Sequence, residues 1–168
     1  MKKDLAIIGG LFLAIVLLLI FGGNFTSTSF LKNMSSGDSS KSAVVNVNPT
    51  LKIDNLTLNI IVASSDRDQK KGLSQREGFP INQGMLFVFD SDGLHPIWMK
   101  NMKFAIDIFW IDSNKRIVDV ITDVPPEPGK SDKDLKIYNP RSNNRYVLET
   151  NAGMASLNNI KVGDLVQF

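Results

Sequence analysis

The chain has 168 residues, with 19 Lys and Arg residues against 17 Asp and Glu residues and a net charge of +2. The excess lies in residues 1–49, because residues 50–168 contain 15 basic and 15 acidic residues. A neutral domain has no net positive field for a phosphate backbone, so we predict no nucleic-acid partner. Cys is absent and His occurs once, so disulfides and thiolate sites are excluded and we predict neither a metal nor a cofactor.

The N-terminal segment is strongly apolar. Residues 5–23 contain no charged side chain, and as a helix they would be about 28 Å long, close to the ~30 Å hydrocarbon thickness of a bilayer. We therefore predict a signal-anchor transmembrane helix over residues 1–23, which attaches the protein to the membrane through residues 5–23. A cleaved signal peptide is the alternative, but the apolar stretch exceeds the usual length of about 15 residues and no small-residue cleavage site follows.

The charge flanking this segment predicts its orientation. Lys2 and Lys3 precede the apolar residues, and basic residues stay on the cytoplasmic side of a membrane helix. We expect a single-pass protein in the cell membrane whose C-terminal domain is extracytoplasmic. Residues 24–49 are rich in Ser and Asn and predict a flexible linker, because this composition cannot bury enough apolar surface to offset the ordering entropy. Residues 50–168 form the predicted domain.

The first half of this domain alternates short apolar segments with turn signals. A strand is predicted over residues 56–62, followed by a short helix over 66–73, which Ser64 or Ser65 would cap. Another strand over 84–89 ends at the turn of residues 90–93. We predict that it pairs as a hairpin with a strand over 97–100.

The second half continues the same pattern. Residues 106–111 and 116–121 predict two strands that pair as a hairpin around the turn of residues 112–115. A Pro-rich segment opens an exposed loop over residues 125–145. After it, the pattern predicts a strand over 146–149, a short helix over 151–157 and a last strand over 165–168.

These elements define the fold class. About seven short strands with one or two short helices predict a mainly β (β-rich α+β) domain. We expect a compact antiparallel β-sandwich or small barrel, preceded by one transmembrane helix. No repeated βαβ pattern supports a doubly wound sheet.

Seven short motifs follow one another along this domain: GL at residues 72–73, GMLFVF at 84–89, WMKN at 98–101, IDIF at 106–109, YVLE at 146–149, NAG at 151–153 and VGD at 162–164. Together and in this order, they resemble the DUF192 (UPF0127) family of small bacterial and archaeal domains. The resemblance implies a common fold, and many members carry a signal or anchor, but the family's biochemical role is not established. Two departures are Met102, where the family usually has Thr, and Ala105-Ile106, where it usually has Pro-Leu.

The candidate site residues are of two kinds. Trp98, Lys100 and Asn101 combine an aromatic ring, a cation and an amide, which suits a carboxylate or a saccharide with an apolar face. Asp107 lies in an apolar strand, where it either faces solvent or is buried with a partner. Its expected partners are Lys100, Arg76 or the backbone amides of residues 100 and 101. Glu149 is a second carboxylate in an apolar strand.

Three functions are compatible with this pattern. The first is a membrane-anchored extracytoplasmic binding or accessory module that takes a small molecule or saccharide. The second is a carboxylate-dependent hydrolase or lyase that acts on envelope polysaccharide through Asp107 and Glu149, flanking the scissile bond as in glycosidases. The third is a structural partner of another membrane protein. The sequence assigns no catalytic residue and leaves the oligomeric state open.

Overall fold

Seven of the nine strands in the described part of the chain form one sheet. The computed structural model describes residues 49–168. In chain order the elements are β1 (Thr50–Ile53), β2 (Leu56–Ala63), α1 (Asp66–Lys71), β3 (Gln83–Gly93), β4 (Ile97–Trp98), β5 (Ile106–Ile111), β6 (Ile117–Val124), a 3₁₀ helix (Asp132–Asp134), β7 (Ile137–Tyr138), β8 (Asn144–Asn151), α2 (Met154–Leu157) and β9 (Val166–Gln167).

The large sheet curls toward closure. Its strand order is β6-β5-β8-β3-β2-β1-β9, and β4 pairs with β7 in a separate two-stranded sheet. At one end the two edges meet, because the Gly163 amide donates to the Ile117 carbonyl at 2.8 Å and the Val166 amide donates to the Lys115 carbonyl at 2.8 Å. The result is a half-barrel with two short α-helices, which confirms the mainly β fold class.

Each face of the sheet packs against its own hydrophobic cluster. The α2 face carries Leu51, Leu86, Phe109 and Val166 together with Met154 of α2. Strands from distant places in the strand order contribute to this cluster, so it fills the inside of the curl. The α1 face carries a second cluster, whose members include Leu73, Met85, Phe87, Met99, Ile108 and Trp110. Because both faces are covered, all six residues of β5 are buried.

Helix α1 is short and depends on its ends. The Ser65 hydroxyl accepts a hydrogen bond from the Asp68 amide at 3.2 Å, which caps the first turn as predicted. Two acidic residues lie in the first turn and two lysines in the last, which suits the helix dipole. Gly72 ends the helix with a φ of 48°, a conformation that favours glycine.

The predicted hairpin between residues 84–89 and 97–100 is wrong. Strand β3 already has a neighbour on each side, since Leu86 pairs with Val62 of β2 and with Leu148 of β8. With both edges of β3 occupied, β4 pairs instead with β7, where Trp98 lies opposite Ile137. Residues 125–145, predicted to be a single exposed loop, therefore contribute a strand.

The prediction that the sheet is antiparallel throughout is also wrong at one place. Strands β2 and β3 are parallel, and the chain between them crosses over through α1. The hairpin of β5 and β6 is confirmed, as are both short helices. The sheet thus contains one β-α-β unit within an otherwise antiparallel order.

The predicted membrane anchor over residues 1–23 lies outside the described residues, as does the predicted linker over 24–49 apart from Pro49. Within residues 49–168, neither α-helix has the length and apolar composition needed to cross a bilayer.

One compact unit extends from Asn46 to Phe168. Both hydrophobic clusters consist entirely of residues in this range. A fragment of residues 46–168 therefore contains a complete core, and we expect it to fold on its own.

Candidate functional site

An open cleft lies between α1 and the β4–β7 pair and is here called the α1 cleft. Its volume is about 500 Å³. Most of its lining is apolar or aromatic, with polar residues supplied by α1. The lining residues are Asp66, Gln69, Lys70, Phe87, Phe89, Pro96, Ile97, Trp98 and Ile137. Such a composition, apolar with a few polar groups, is typical of small-molecule sites.

A small chamber adjoins the cleft and leads toward the sheet. Its volume is about 40 Å³, and it shares five lining residues with the cleft: Gln69, Lys70, Phe87, Ile97 and Trp98. Lys71, Lys100 and Glu149 also line this inner chamber. The chamber thus brings three lysines and one carboxyl group to the inner side of an apolar cleft.

Glu149 reaches the chamber because of its place in β8. It lies opposite Ile108 of β5, and residues directly opposite in a sheet project on the same face. Ile108 belongs to the α1-face cluster, so the Glu149 side chain also points to the α1 face. Only 5% of the residue is exposed.

The carboxyl group of Glu149 has no compensating partner among the described residues. Burial raises its pKa to about 8, and neither a hydrogen bond nor a nearby charge offsets this effect. At neutral pH the group is therefore mainly a neutral carboxylic acid, which can donate one hydrogen bond and accept others. Glu149 is thus an acid that lines a cavity and has no hydrogen-bonding partner among the described residues, which makes it a candidate for a functional role.

The walls of the α1 cleft are held by specific contacts. Strand β2 ends at Ala63, opposite Phe87, so Val88 has no partner there. The Gln69 side chain fills this gap, since its Nε2 donates to the Val88 carbonyl at 2.8 Å. This bond ties α1 to β3 and sets the position of one wall.

The opposite wall presents apolar surface to solvent. Trp98 is 41% exposed and Ile137 is 46% exposed, and the two residues lie opposite each other in the β4–β7 pair. Lys100 packs near the Trp98 ring, with its Nζ 5.3 Å from the ring centroid, and forms an ion pair with Asp132. The Trp98 ring therefore lines both the cleft and the inner chamber, and the cation beside it lines the chamber.

Of the predicted site residues, Trp98, Lys100 and Glu149 are brought together at the inner chamber. Asn101 lies next to them but lines a different, polar cavity of about 280 Å³. It adopts a φ of 55°, and its carbonyl accepts a hydrogen bond from the Gln75 amide at 2.9 Å. Arg76 lines none of these cavities; its guanidinium carbon lies 5.8 Å from the centroid of the Phe79 ring.

Asp107 is completely buried on the α2 face of the sheet. Its Oδ1 accepts hydrogen bonds from the amides of Asp123 at 2.8 Å and Gly153 at 3.2 Å, and its Oδ2 accepts one from the Ala155 amide at 2.8 Å. The expected partners, Lys100, Arg76 and the amides of residues 100 and 101, are therefore wrong. Those groups lie on the α1 side of the sheet, whereas Asp107 lies on the α2 side.

The structure does not bring Asp107 and Glu149 into one site. They are close in register, since Asp107 lies opposite Thr150, but adjacent residues of a strand point to opposite faces. The sheet therefore separates the two carboxyl groups. They cannot flank one glycosidic bond in the manner that a two-carboxylate glycosidase requires.

Asp119 is a buried carboxylate that, unlike Glu149, accepts several hydrogen bonds. Burial alone would raise its pKa, but hydrogen bonds from the Arg141 side chain and from the amides of Arg141 and Val120 leave the pKa below its ordinary value. Asp119 anchors the chain before β8 to β6. Among residues 49–168, Glu149 has no comparable set of donors.

Sequence reasoning missed the contribution of α1 and β7 to the site. Gln69 and Lys70 lie on a helix with no buried residue, so hydrophobic periodicity could not assign its inner side. Ile137 lies in a segment predicted to be an exposed loop. The available signal was the cluster of Leu135, Ile137 and Tyr138, three large side chains with apolar surface within a polar stretch.

Fold and cavity together define a small curled β-sheet domain with a lateral apolar cleft. The DUF192 family profile, described as "Uncharacterized ACR", matches residues 49–168. The chain belongs to the DUF192 family.

Relatives by sequence are UPF0127 proteins from two archaea. The protein from Thermococcus gammatolerans is 29% identical over 90 residues, which cover 52% of this chain and 53% of the relative. The protein from Thermococcus kodakarensis is 25% identical over 93 residues, which cover 52% of each chain. The chain thus spans about half the length of the curated relatives it matches.

Two crystal structures share the fold. One is a proposed transcription regulator from Sinorhizobium meliloti 1021, with a TM-score of 0.62 and 26% identity, covering 70% of this chain and 89% of that protein. The other is a protein of unknown function from Novosphingobium aromaticivorans DSM 12444, with a TM-score of 0.65 and 21% identity, covering 79% of this chain and 94% of that protein. The second likeness shows the fold alone.

Proposed function

We propose that the domain binds a small amphipathic molecule in the α1 cleft, and that the chain as a whole is a membrane-anchored extracytoplasmic binding or accessory protein. One observation carries the binding proposal: an apolar cleft of about 500 Å³ adjoins a small chamber whose lining includes Glu149, a carboxyl group without a hydrogen-bonding partner among the described residues. The cleft would hold the apolar body of the ligand, and the chamber its polar end.

The apolar part of the cleft supports the affinity. Phe87, Phe89 and Ile97 form its inner surface, and Trp98 and Ile137 flank its mouth. Covering this surface releases water from apolar area, at about 25 cal/mol per Å². Aromatic side chains such as Trp98 also provide a flat contact surface for rings or for the apolar face of a saccharide.

The polar end of the cleft supports specificity. Glu149 is held in place by a strand that is buried on both faces, so it can meet a ligand without moving far. A ligand group that hydrogen-bonds to this carboxyl group replaces a missing partner. A ligand that leaves the carboxyl group unpaired gains less.

Binding can be mapped on the fragment of residues 46–168, since the match to the Sinorhizobium meliloti protein takes 70% of this chain, no more than the fragment, and covers 89% of that protein. Octanoate, octanol and octylamine share one alkyl body and serve as probes. We expect at least one of them to shift the backbone amide resonances around the α1 cleft and to leave those around α2 unchanged. If none of the three probes shifts the cleft resonances, the binding function is wrong.

A matched pair of variants separates the cleft from general surface hydrophobicity. Trp98→Ala removes an exposed apolar side chain at the mouth of the cleft, whereas Leu157→Ala removes one that is 76% exposed on α2. We expect Trp98→Ala alone to weaken probe binding. Equal effects from both variants would indicate nonspecific adsorption.

The proposed location rests on the uncharged residues 5–23 and on Lys2 and Lys3 before them. A reporter enzyme that is active only outside the cytoplasm, fused after Phe168, is expected to be active and to sediment with membranes. Release of the reporter into the soluble extracytoplasmic fraction would indicate cleavage of a signal peptide instead. An inactive reporter would contradict the proposed orientation.

A further inference from the structure

We propose that the α1 cleft is selective for amphipathic carboxylates, with the carboxylate head of the ligand in the inner chamber against the carboxyl group of Glu149. This inference deepens the proposed function and rests on it. It concerns the chemical class of the ligand, which the size, hydrogen-bonding capacity and charge of the chamber together restrict.

The chamber has room for a small head group only. Its 40 Å³ corresponds to about three water-sized positions, at roughly 10–15 Å³ for each. A carboxylate has three heavy atoms and fits this space. A saccharide ring or a phosphate ester with its substituents would have to remain in the larger cleft outside.

The hydrogen-bonding capacity of Glu149 favours an acceptor. Its carboxyl group lacks a partner among the described residues, and burial raises its pKa to about 8, so at neutral pH it carries a proton to donate. A ligand carboxylate accepts that proton in a short hydrogen bond, as when two neighbouring carboxyl groups share one proton. The complex then has a single negative charge.

The charges around the chamber favour an anion over a cation. Lys70 and Lys71 of α1 and Lys100 from the segment after β4 all line it. Opposing carboxylates are Asp66, which lines the outer cleft, and Asp132, which pairs with Lys100. Asp107 of β5 lies behind the sheet, where three backbone amides satisfy it. The lysines would therefore repel an ammonium head group and attract a carboxylate head group.

The three probes test this choice because they differ only in the head group. Isothermal titration of the fragment of residues 46–168 at about pH 6 is expected to show octanoate binding at least tenfold more tightly than octanol or octylamine. If the three probes bind equally, or octylamine binds best, the carboxylate inference is overturned while cleft binding stands. If none of the probes binds in the cleft, both the carboxylate inference and the proposed function are wrong.

The pH dependence identifies the responsible group. As the pH rises through about 8, Glu149 ionises and two carboxylates would face each other, so octanoate affinity should fall about tenfold between about pH 6 and about pH 9. Glu149→Gln keeps a donor that cannot ionise, and its affinity for octanoate should stay within about threefold of wild type at pH 6 and become flat with pH. Glu149→Leu removes the donor and should lose at least tenfold at pH 6.

Two outcomes of the variant series would overturn the inference. One is an unchanged pH dependence in Glu149→Gln, which would assign the effect to another group. The other is full octanoate affinity in Glu149→Leu, since an apolar side chain cannot donate to a carboxylate. Both variants remove a buried unpaired acid, so we expect both to fold, and a circular dichroism melt verifies this before titration.

Discussion

Asp107 and Glu149 are two buried carboxyl groups on adjacent strands. They point to opposite faces of the sheet and have different roles there. Asp107 faces α2, where three backbone amides donate hydrogen bonds to its two carboxyl oxygens. Glu149 faces the inner chamber of the α1 cleft and has no such donors among the described residues. Burial is nearly equal, at 0% and 5% exposure, so burial alone does not decide what a carboxyl group does.

The difference comes from the local backbone. On the α2 face, Gly153 adopts a φ of 87° before the helix, and the turn directs the amides of Gly153 and Ala155 toward Asp107. On the α1 face, side chains of α1 and of the segment after β4 line the chamber beside Glu149, and no hydrogen bond offsets the burial of its carboxyl group. A carboxylate surrounded by free amides is structural, whereas an acid beside a cavity is available to a ligand.

The largest expected effect is on the structural side of this comparison. Asp107→Ala would leave the amides of Asp123, Gly153 and Ala155 without their acceptor, so we expect the free energy of unfolding to fall by about 3–5 kcal/mol. Urea denaturation of the fragment of residues 46–168 measures this. A loss below about 1 kcal/mol would mean that water replaces the carboxylate, and the contrast between the two faces would disappear.

Glu149, the carboxyl group on the opposite face, should make the stability of the domain depend on pH. An unfolded Glu ionises near 4.5 and the folded Glu149 near 8, so the folded state holds an extra proton between these values. The contribution of Glu149 to stability is therefore fully present below about pH 4.5 and is lost as the pH rises to about 8. At pH 7 the loss is about 3 kcal/mol.

Glu149→Gln is the control for this effect, because it cannot ionise. We expect the free energy of unfolding of wild type to fall relative to that of Glu149→Gln between pH 5 and 8, as measured by urea denaturation at several pH values. Parallel curves for the two proteins would show that Glu149 ionises normally in the folded state.

A smaller effect is expected at the mouth of the cleft. Trp98→Ala removes a side chain that is already 41% exposed, so stability should change less than in Asp107→Ala, while octanoate affinity should fall about tenfold. Calorimetric titration and urea denaturation of the same sample separate the two. A large loss of stability without loss of affinity would place Trp98 with the structural residues.

The smallest effect is expected at Lys100, which lines the inner chamber. Lys100 and Asp132 form a partly exposed pair, so Lys100→Gln should cost less than about 1 kcal/mol of stability and weaken octanoate binding about twofold, less at high salt. Lys161→Gln, which changes an exposed lysine outside the cleft, is the matched control. If the two variants are indistinguishable, Lys100 takes no part in attracting the ligand.

Much of the fold could be predicted from the sequence because its signals are local. The β5–β6 hairpin has two apolar strands around a polar turn, and Ser65 before two acidic residues indicates the start of α1. The pairing of β4 with β7 and the parallel contact of β2 with β3 depend on which strand edges are already occupied. That is a property of the assembled sheet, which no local pattern contains.

The candidate site could be predicted only in part. Trp98, Lys100 and Glu149 were predicted from their chemical types, and they do share the inner chamber. Asp107 could not be distinguished from Glu149, because both are single carboxylates in apolar strands. The distinction depends on strand register, since a shift of one residue moves a side chain to the other face.

Measuring the pKa of Glu149 tests the contrast between the two faces of the sheet most directly. The side-chain carboxyl carbon of Glu149 can be followed by NMR in the labelled fragment of residues 46–168, with its resonance assigned by its absence in Glu149→Gln. We predict a titration midpoint near pH 8 in the free protein. A midpoint near the ordinary value of 4.5 would contradict the unpartnered acid on which the proposed binding chemistry depends.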